Sequence, residues 1–274
     1  MAALRGDCID KPFLFSGSHL PDALRELDSF AEGSEFLVGH NIIAFDIPHL
    51  QAAAPGLRLL DLPVIDTLRL SPLAFPRNPY HKLVKHYKDG GLLRFNANDP
   101  ELDVRICLAL FQDETKAFRH LTEENSGLLT AFHWLTGSCP EENGFDHFFH
   151  MVRKTTLPTD EEGCTAVAAC LAPSACVNHS KGVLEQPSLR GWPMAYALAW
   201  LSVAGGNSVI PPWVRHEFPE APRLVKRLRD TRCEDPLCDW CQEHHNSKRV
   251  LKHWFGFSDF RPVPLCRDGT PMQE

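Results

Sequence analysis

Residues 38–46 read Val-Gly-His-Asn-Ile-Ile-Ala-Phe-Asp and give the first indication of the fold. The apolar residues 36–38 predict a short buried strand that ends at Gly39, and a turn through His40 and Asn41 follows. Asp46 comes where a helix is expected to begin. On spacing alone, its carboxylate either caps that helix or is presented for chemistry.

The residues around this turn predict an α/β layered unit over residues 1–113. Apolar residues recur at helical spacing over residues 20–30, and residues 64–67 resemble a second short strand. A further apolar helix is expected over residues 102–111, because Asn98-Asp99-Pro100 is a typical helix start. Strands that alternate with helices indicate an α/β class.

The remaining chain is predicted to be mainly α-helical over residues 114–215, with a helix and a cysteine-rich loop over residues 216–250. The formal net charge of the 274 residues is −7, which excludes a protein that is basic overall and coats nucleic acid. No apolar run reaches the roughly 18 residues that a membrane span needs, and no secretory signal follows Met1. We therefore expect a cytoplasmic protein without a membrane partner.

The turn at residues 38–46 resembles the second motif of the DnaQ-like, or DEDD, exonucleases. This resemblance implies an RNase H-like sheet, a two-metal Mg or Mn site and 3'–5' removal of nucleotides. Asp46 and, on the later helix, Asp103 match metal-ligand positions and are the expected catalytic residues. His40 and Asn41 would shape the turn beside the nucleic acid, whereas Asp66-Thr67 matches a strand end that we interpret as structural.

Two departures from the family pattern weaken the expectation of catalysis. The Asp-x-Glu motif of the first strand does not occur before Gly39, and Asn98 takes the place of a general-base histidine. We therefore expect a fragment or a degenerate copy with impaired activity. The alternative is a catalytically inactive nuclease fold that binds DNA or docks beside a helicase.

A second set of residues could contact a phosphate backbone. Residues 79–88 read Pro-Tyr-His-Lys-Leu-Val-Lys-His-Tyr-Lys, and within them Lys82, Lys85, His86 and Lys88 are the predicted nucleic-acid contacts. The two tyrosines could stack on bases. The alternative is an ordinary solvated helix face.

The cysteine cluster predicts a structural zinc site. Cys233, Cys238 and Cys241 lie within nine positions, and a Cys-x2-Cys spacing lets two thiolates reach one ion. A histidine three or four positions later would complete the shell, and of His244 and His245 we favour His245. An incidental cluster is the alternative. A more scattered set could form a second site, although its spacing fits no standard loop; it comprises Cys164, Cys170, Cys176 and His179.

Residues 251–274 carry the second resemblance. Phe255-Gly256 and Phe260-Arg261 are similar to the segment that opens the helicase core in RecQ-family DNA helicases. Together, the two resemblances identify the chain as the N-terminal part of a bacterial RecQ-like helicase that carries an exonuclease region. DNA and the helicase core of the same protein are the implied partners. In this chain, Trp254, Phe255, Phe257 and Phe260 are expected to form an exposed apolar strip.

Overall fold

Two small two-stranded sheets carry the β-structure of the described chain. The computed structural model describes residues 1–17, 19–83, 99–138, 144–203, 209–245 and Gly256. Strands β1 (Ala2–Ala3) and β2 (Phe13–Leu14) pair antiparallel. Strands β3 (Leu37–Gly39) and β4 (Val64–Asp66) pair parallel, with Val38 opposite Ile65 and Gly39 opposite Asp66. Both β3 and β4 form where the apolar runs predicted them.

Helices make up most of the described structure. Three belong to the first 83 residues: α1 (Leu20–Phe30), α2 (Asp46–Ala53) and α3 (Thr67–Ala74), with a 3-10 turn at Arg58–Asp61. The later helices are α4 (Pro100–Glu124), α5 (Ser126–Gly137), α6 (Gly144–Arg153), α7 (Asp160–Leu171), α8 (Val177–Leu184), α9 (Trp192–Leu201), α10 (Pro212–Glu217), α11 (Glu220–Val225) and α12 (Asp239–His244). A 3-10 turn, Pro187–Leu189, follows α8, and α11 continues as a π-helical turn, Lys226–Asp230.

Helix α4 extends beyond its predicted end and crosses a predicted domain boundary. Its start agrees with the sequence, because the Asp99 carboxylate accepts a hydrogen bond from the Leu102 N–H at 3.1 Å and Pro100 occupies the first turn. No proline or glycine stops the helix before Glu124, so it runs unbroken through residues 113 and 114. The predicted boundary between residues 113 and 114 therefore falls inside one continuous helix.

One hydrophobic core joins the parallel strand pair to the helical region. Helix α5 contributes Phe132, and its neighbours contribute a cluster of edge-to-face rings that includes Phe118 and Phe148. Ile65 of β4 and Leu224 of α11 belong to the same buried cluster. This buried cluster therefore includes residues from each of the first three predicted regions, while Leu24, Leu57 and Leu59 form a smaller cluster of their own.

Glu114 is an exception to the apolar character of this core. Its side chain is fully buried on α4, and neither carboxyl oxygen has a hydrogen-bond partner among the described residues. Burial raises the pKa of Glu114 well above its ordinary value, and the negative charge of Asp66 adds to this effect. Folding therefore favours the protonated form of Glu114.

No helix in the described part of the chain is both long enough and apolar enough to cross a bilayer. The predicted aromatic strip of residues 251–274 lies outside the described residues, apart from Gly256.

Candidate metal centre

Four cysteine thiols converge where the C-terminal segment meets helix α8. The Sγ atoms of Cys176, Cys233, Cys238 and Cys241 all lie within 4.8 Å of one another, and Cys233 and Cys241 are 3.5 Å apart. Cys238 is partly exposed, whereas the other three are buried. None of the four forms a disulfide. The arrangement offers four soft sulfur donors around a common point.

These distances fit a tetrahedral thiolate site. Zinc–sulfur bonds of about 2.3 Å place neighbouring sulfurs about 3.8 Å apart in an ideal tetrahedron. The four thiols therefore need only small side-chain adjustments to surround one ion. Thiolate ligands select zinc or another soft metal rather than Mg or Mn, which prefer oxygen.

The loop between Cys233 and Cys241 is shaped by its own hydrogen bonds. The Asp235 carboxylate accepts from the Leu237 N–H at 2.9 Å, and the Asp235 carbonyl accepts from the Cys238 N–H at 3.3 Å. This Asx turn directs Cys238 back toward Cys233. Helix α12 then begins, and its first full turn places Cys241 beside Cys238.

The first turn of α8 holds the loop in place from the other side. The Asn178 amide donates to the Cys233 Sγ at 3.6 Å and to the Asp235 carboxylate at 3.5 Å. The His179 ring nitrogen Nε2 donates to the Thr231 carbonyl at 2.8 Å. Such outer contacts orient metal ligands in known metal sites. Cys176 immediately precedes this turn, so the same helix supplies both a ligand and its support.

Hydrogen bonds also favour a thiolate at this centre. The Asn178 side chain lowers the pKa of the Cys233 thiol to about 7. The Cys233 backbone N–H points at the Cys241 Sγ at 3.4 Å, although burial raises the pKa of Cys241. Since metal ligation requires deprotonated sulfur, the polar groups already in place assist binding at neutral pH.

The predicted fourth ligand, His245, is replaced by Cys176. His245 does not belong to the group of converging ligand atoms, and its Nε2 is buried without a hydrogen-bond partner among the described residues. His244 is also outside the group, because its ring stacks on Trp240 at 3.9 Å and its Nδ1 contacts the Trp240 carbonyl. Neither imidazole therefore belongs to the set of mutually close ligand atoms.

Cys176 was visible in the sequence only as part of the scattered set. That set does not form a second site, since Cys176 joins the first cluster and Cys164 and Cys170 do not. The centre also crosses the predicted boundary at residue 216, because one ligand comes from the preceding region. No local spacing rule links a cysteine to partners more than fifty residues away.

The turn at residues 39–41 is stabilised by Asp66. Its carboxylate accepts from the Asn41, Ile43 and Leu68 N–H groups at 2.8, 3.2 and 2.9 Å. Asn41 has a left-handed backbone with φ of 62°, a conformation that asparagine tolerates better than most residues. The structural interpretation of Asp66-Thr67 is therefore confirmed.

His40 takes part in an internal contact rather than projecting freely toward a ligand. Its Nδ1 lies 3.0 Å from the Thr67 hydroxyl, and burial lowers the pKa of His40 to about 4. A neutral, partly buried imidazole has no charge to offer a phosphate at neutral pH. Lys82 is exposed, whereas the predicted contacts Lys85, His86 and Lys88 lie outside the described residues.

The structure does not support the predicted Mg or Mn site at Asp46 and Asp103. Asp46 is the first residue of α2, and Asp103 is exposed in the first turn of α4. Asp46 is exposed as a whole residue, but partial burial of its carboxyl group raises the pKa. Among the described residues, the four-cysteine group is the one set of three or more potential ligands close enough to share an ion.

Comparison with known proteins gave no match: no family model, curated protein or solved structure is similar to this chain at a meaningful level.

Proposed function

We propose that this chain is a zinc-stabilised, non-catalytic module of a nucleic-acid-processing protein. The observation that carries the proposal is the convergence of four thiols, while Asp46 and Asp103 gather no third carboxylate in the described structure. Zinc would bind Cys176, Cys233, Cys238 and Cys241 and fasten the C-terminal segment to α8. The nucleic-acid role rests on the DnaQ-like and RecQ-like sequence resemblances.

Metal analysis of the purified protein tests the zinc site. We expect about one zinc per chain, and we expect Cys176→Ser to lose it. Cys170→Ser is the matched control, because Cys170 precedes Cys176 closely in the sequence but lies outside the thiol group, and it should retain the metal. His245→Ala should also retain it. If His245→Ala loses zinc and Cys176→Ser keeps it, the proposed four-cysteine site is wrong. The fourth ligand would then be His245, as the sequence predicted.

Cobalt substitution provides a readout that does not depend on a variant. A tetrahedral site with four thiolates and one with three thiolates and an imidazole give cobalt absorption spectra of different energy and intensity. The wild-type protein should give the four-thiolate spectrum. An octahedral spectrum, or no uptake of cobalt, would contradict the proposed centre.

A nuclease function is the second candidate, and the surroundings of Cys107 favour it. Asp46 acts electrostatically on the Cys107 thiol, and Asp103 lies one helical turn before Cys107 on α4. Helix α4, which carries Asp103, therefore comes within electrostatic reach of Asp46 at Cys107. An incomplete RNase H-like layer would supply the remaining scaffold.

Degradation of end-labelled single-stranded DNA in Mg²⁺ or Mn²⁺ separates the two functions. If the module is non-catalytic, the wild-type protein should degrade the DNA no faster than Asp46→Ala does. Asp61→Ala, an exposed change on a neighbouring turn, serves as the control. Strong activity that Asp46→Ala abolishes and Asp61→Ala preserves would establish the nuclease and refute the non-catalytic proposal.

A further inference from the structure

Cations line the outer face of the segment that leads into the metal centre, and all of them are exposed except Arg227, which is half-buried beside Gly182. Arg223, Lys226 and Arg227 recur at helical spacing on α11 and its π-helical continuation, and Arg232 follows just before Cys233. The opposite face is buried in the core through Ala221, Leu224, Val225 and Leu228. The cations therefore share one solvent-facing side.

Helix α8 adds a fifth cation to this face. The Arg227 guanidinium packs beside Gly182 of α8. A Cβ at position 182 would lie only 3.0 Å from Nη2 of Arg227. Lys181, the residue before Gly182, is exposed. We name this surface the basic stripe; it comprises Lys181, Arg223, Lys226, Arg227 and Arg232.

The cations of the basic stripe have no carboxylate partner within the described part of the chain. Arg229, on the flank of the same segment, is different: it pairs with Asp230 at 2.7 Å and lies over the Trp200 ring at 4.4 Å. The whole chain has a net charge of −7, so this group of unpaired cations makes one part of the surface positive on a protein that is acidic overall. Their mutual repulsion is relieved when a polyanion binds.

The stripe also has a defined length and a defined end. A helical rise of 1.5 Å per residue separates Arg223 from Arg227 by about 6 Å along the axis, which is similar to the spacing of successive phosphates on a stretched single strand. Immediately beyond Arg232, the loop is acidic and would repel phosphate; its acidic residues are Glu234, Asp235, Asp239 and Glu243.

We propose that the basic stripe binds the sugar–phosphate backbone of single-stranded nucleic acid. This inference rests on the proposed function and identifies its binding surface, which lies beside the metal centre rather than at the predicted residues 82–88. The contact is with the backbone and is therefore independent of sequence. The metal centre fixes the end of the stripe, because the His179–Thr231 hydrogen bond and the Cys233 ligand hold Arg232 against α8.

Fluorescence anisotropy with a labelled 20-nucleotide oligothymidylate tests the proposal on the full, metal-loaded chain. Arg223→Glu/Lys226→Glu should weaken binding at least roughly tenfold. It should also lower the slope of log affinity against log salt by about 1.4, since each single-strand phosphate contact contributes about 0.7. Lys116→Glu/Arg119→Glu, on exposed positions of α4 at the same spacing, is the control and should bind as the wild type does.

The outcomes separate this inference from the proposed function. Wild-type binding that the stripe variant retains, with an unchanged salt slope, would refute the basic stripe while leaving a nucleic-acid role in place. A wild-type protein that does not bind the oligonucleotide would refute the proposed function itself. Equal competition by polyglutamate at the same charge concentration would assign the stripe to an acidic protein partner instead.

Discussion

Glu114 is buried and has no hydrogen-bond partner in the described part of the chain, so replacing it with glutamine isolates the free-energy cost of its ionisation. At pH values below about 4.5 the carboxyl is protonated in both the folded and the unfolded chain, and no penalty arises. As the pH rises, the unfolded chain releases the proton while burial keeps it on the folded protein. The wild type should therefore lose stability relative to Glu114→Gln with rising pH.

The size of this effect follows from the proton linkage. A single group that holds a proton only in the folded state lowers the free energy of unfolding by about 1.4 kcal/mol per pH unit, until the folded-state pKa is reached. Between pH 5 and pH 7 the difference between wild type and Glu114→Gln should widen by up to about 2.7 kcal/mol. Groups common to both proteins cancel in this comparison.

Urea denaturation between pH 4 and pH 8 measures the difference directly. Glu123→Gln is the matched control, because Glu123 lies on the same helix and is exposed, and its stability should follow the wild type at every pH. A Glu114→Gln difference that does not change with pH would refute the reasoning. It would mean that the pKa of Glu114 is the same in the folded and the unfolded protein.

Three further perturbations test other parts of the structure. Asp66→Ala should cost about 3 kcal/mol in the free energy of unfolding, because three backbone N–H groups lose their acceptor, and urea denaturation measures it. Gly163→Ala should lower the melting temperature, since a Cβ would lie 2.1 Å from the Trp134 ring; an unchanged value would show that the ring can move. Burial lowers the pKa of both His40 and His81 to about 4, so folding stability should fall as the pH drops from about 6.5 toward 4, and His40→Gln/His81→Gln should flatten this decline in denaturation experiments.

Local sequence patterns predicted the elements whose determinants are local. The strands at residues 37–39 and 64–66 follow from short apolar runs, and α1 follows from its helical spacing. The start of α4 follows from Asp99 and Pro100, but its end does not. Residues 112–124 are largely polar, and their helical conformation depends on packing against the core as well as on the preceding turns.

The metal centre was predictable for three of its four ligands. Cys233, Cys238 and Cys241 lie close in the sequence, so their spacing alone indicated a shared ion. Cys176 reaches them only because α8 packs against the segment that follows α11. A histidine at the customary spacing was the stronger local signal, and tertiary structure overrode it.

The wide separation of Cys176 from its partners has a consequence during synthesis. At about 5 to 20 residues per second, the ribosome needs roughly 3 to 13 seconds to add the residues between Cys176 and Cys241. For most of this interval Cys176 has none of its three partners, because Cys233, Cys238 and Cys241 are all added near its end. A site that uses all four thiols can therefore take up its ion only after Cys241 has been synthesised, so the proposed metal would be one of the last components to join this fold.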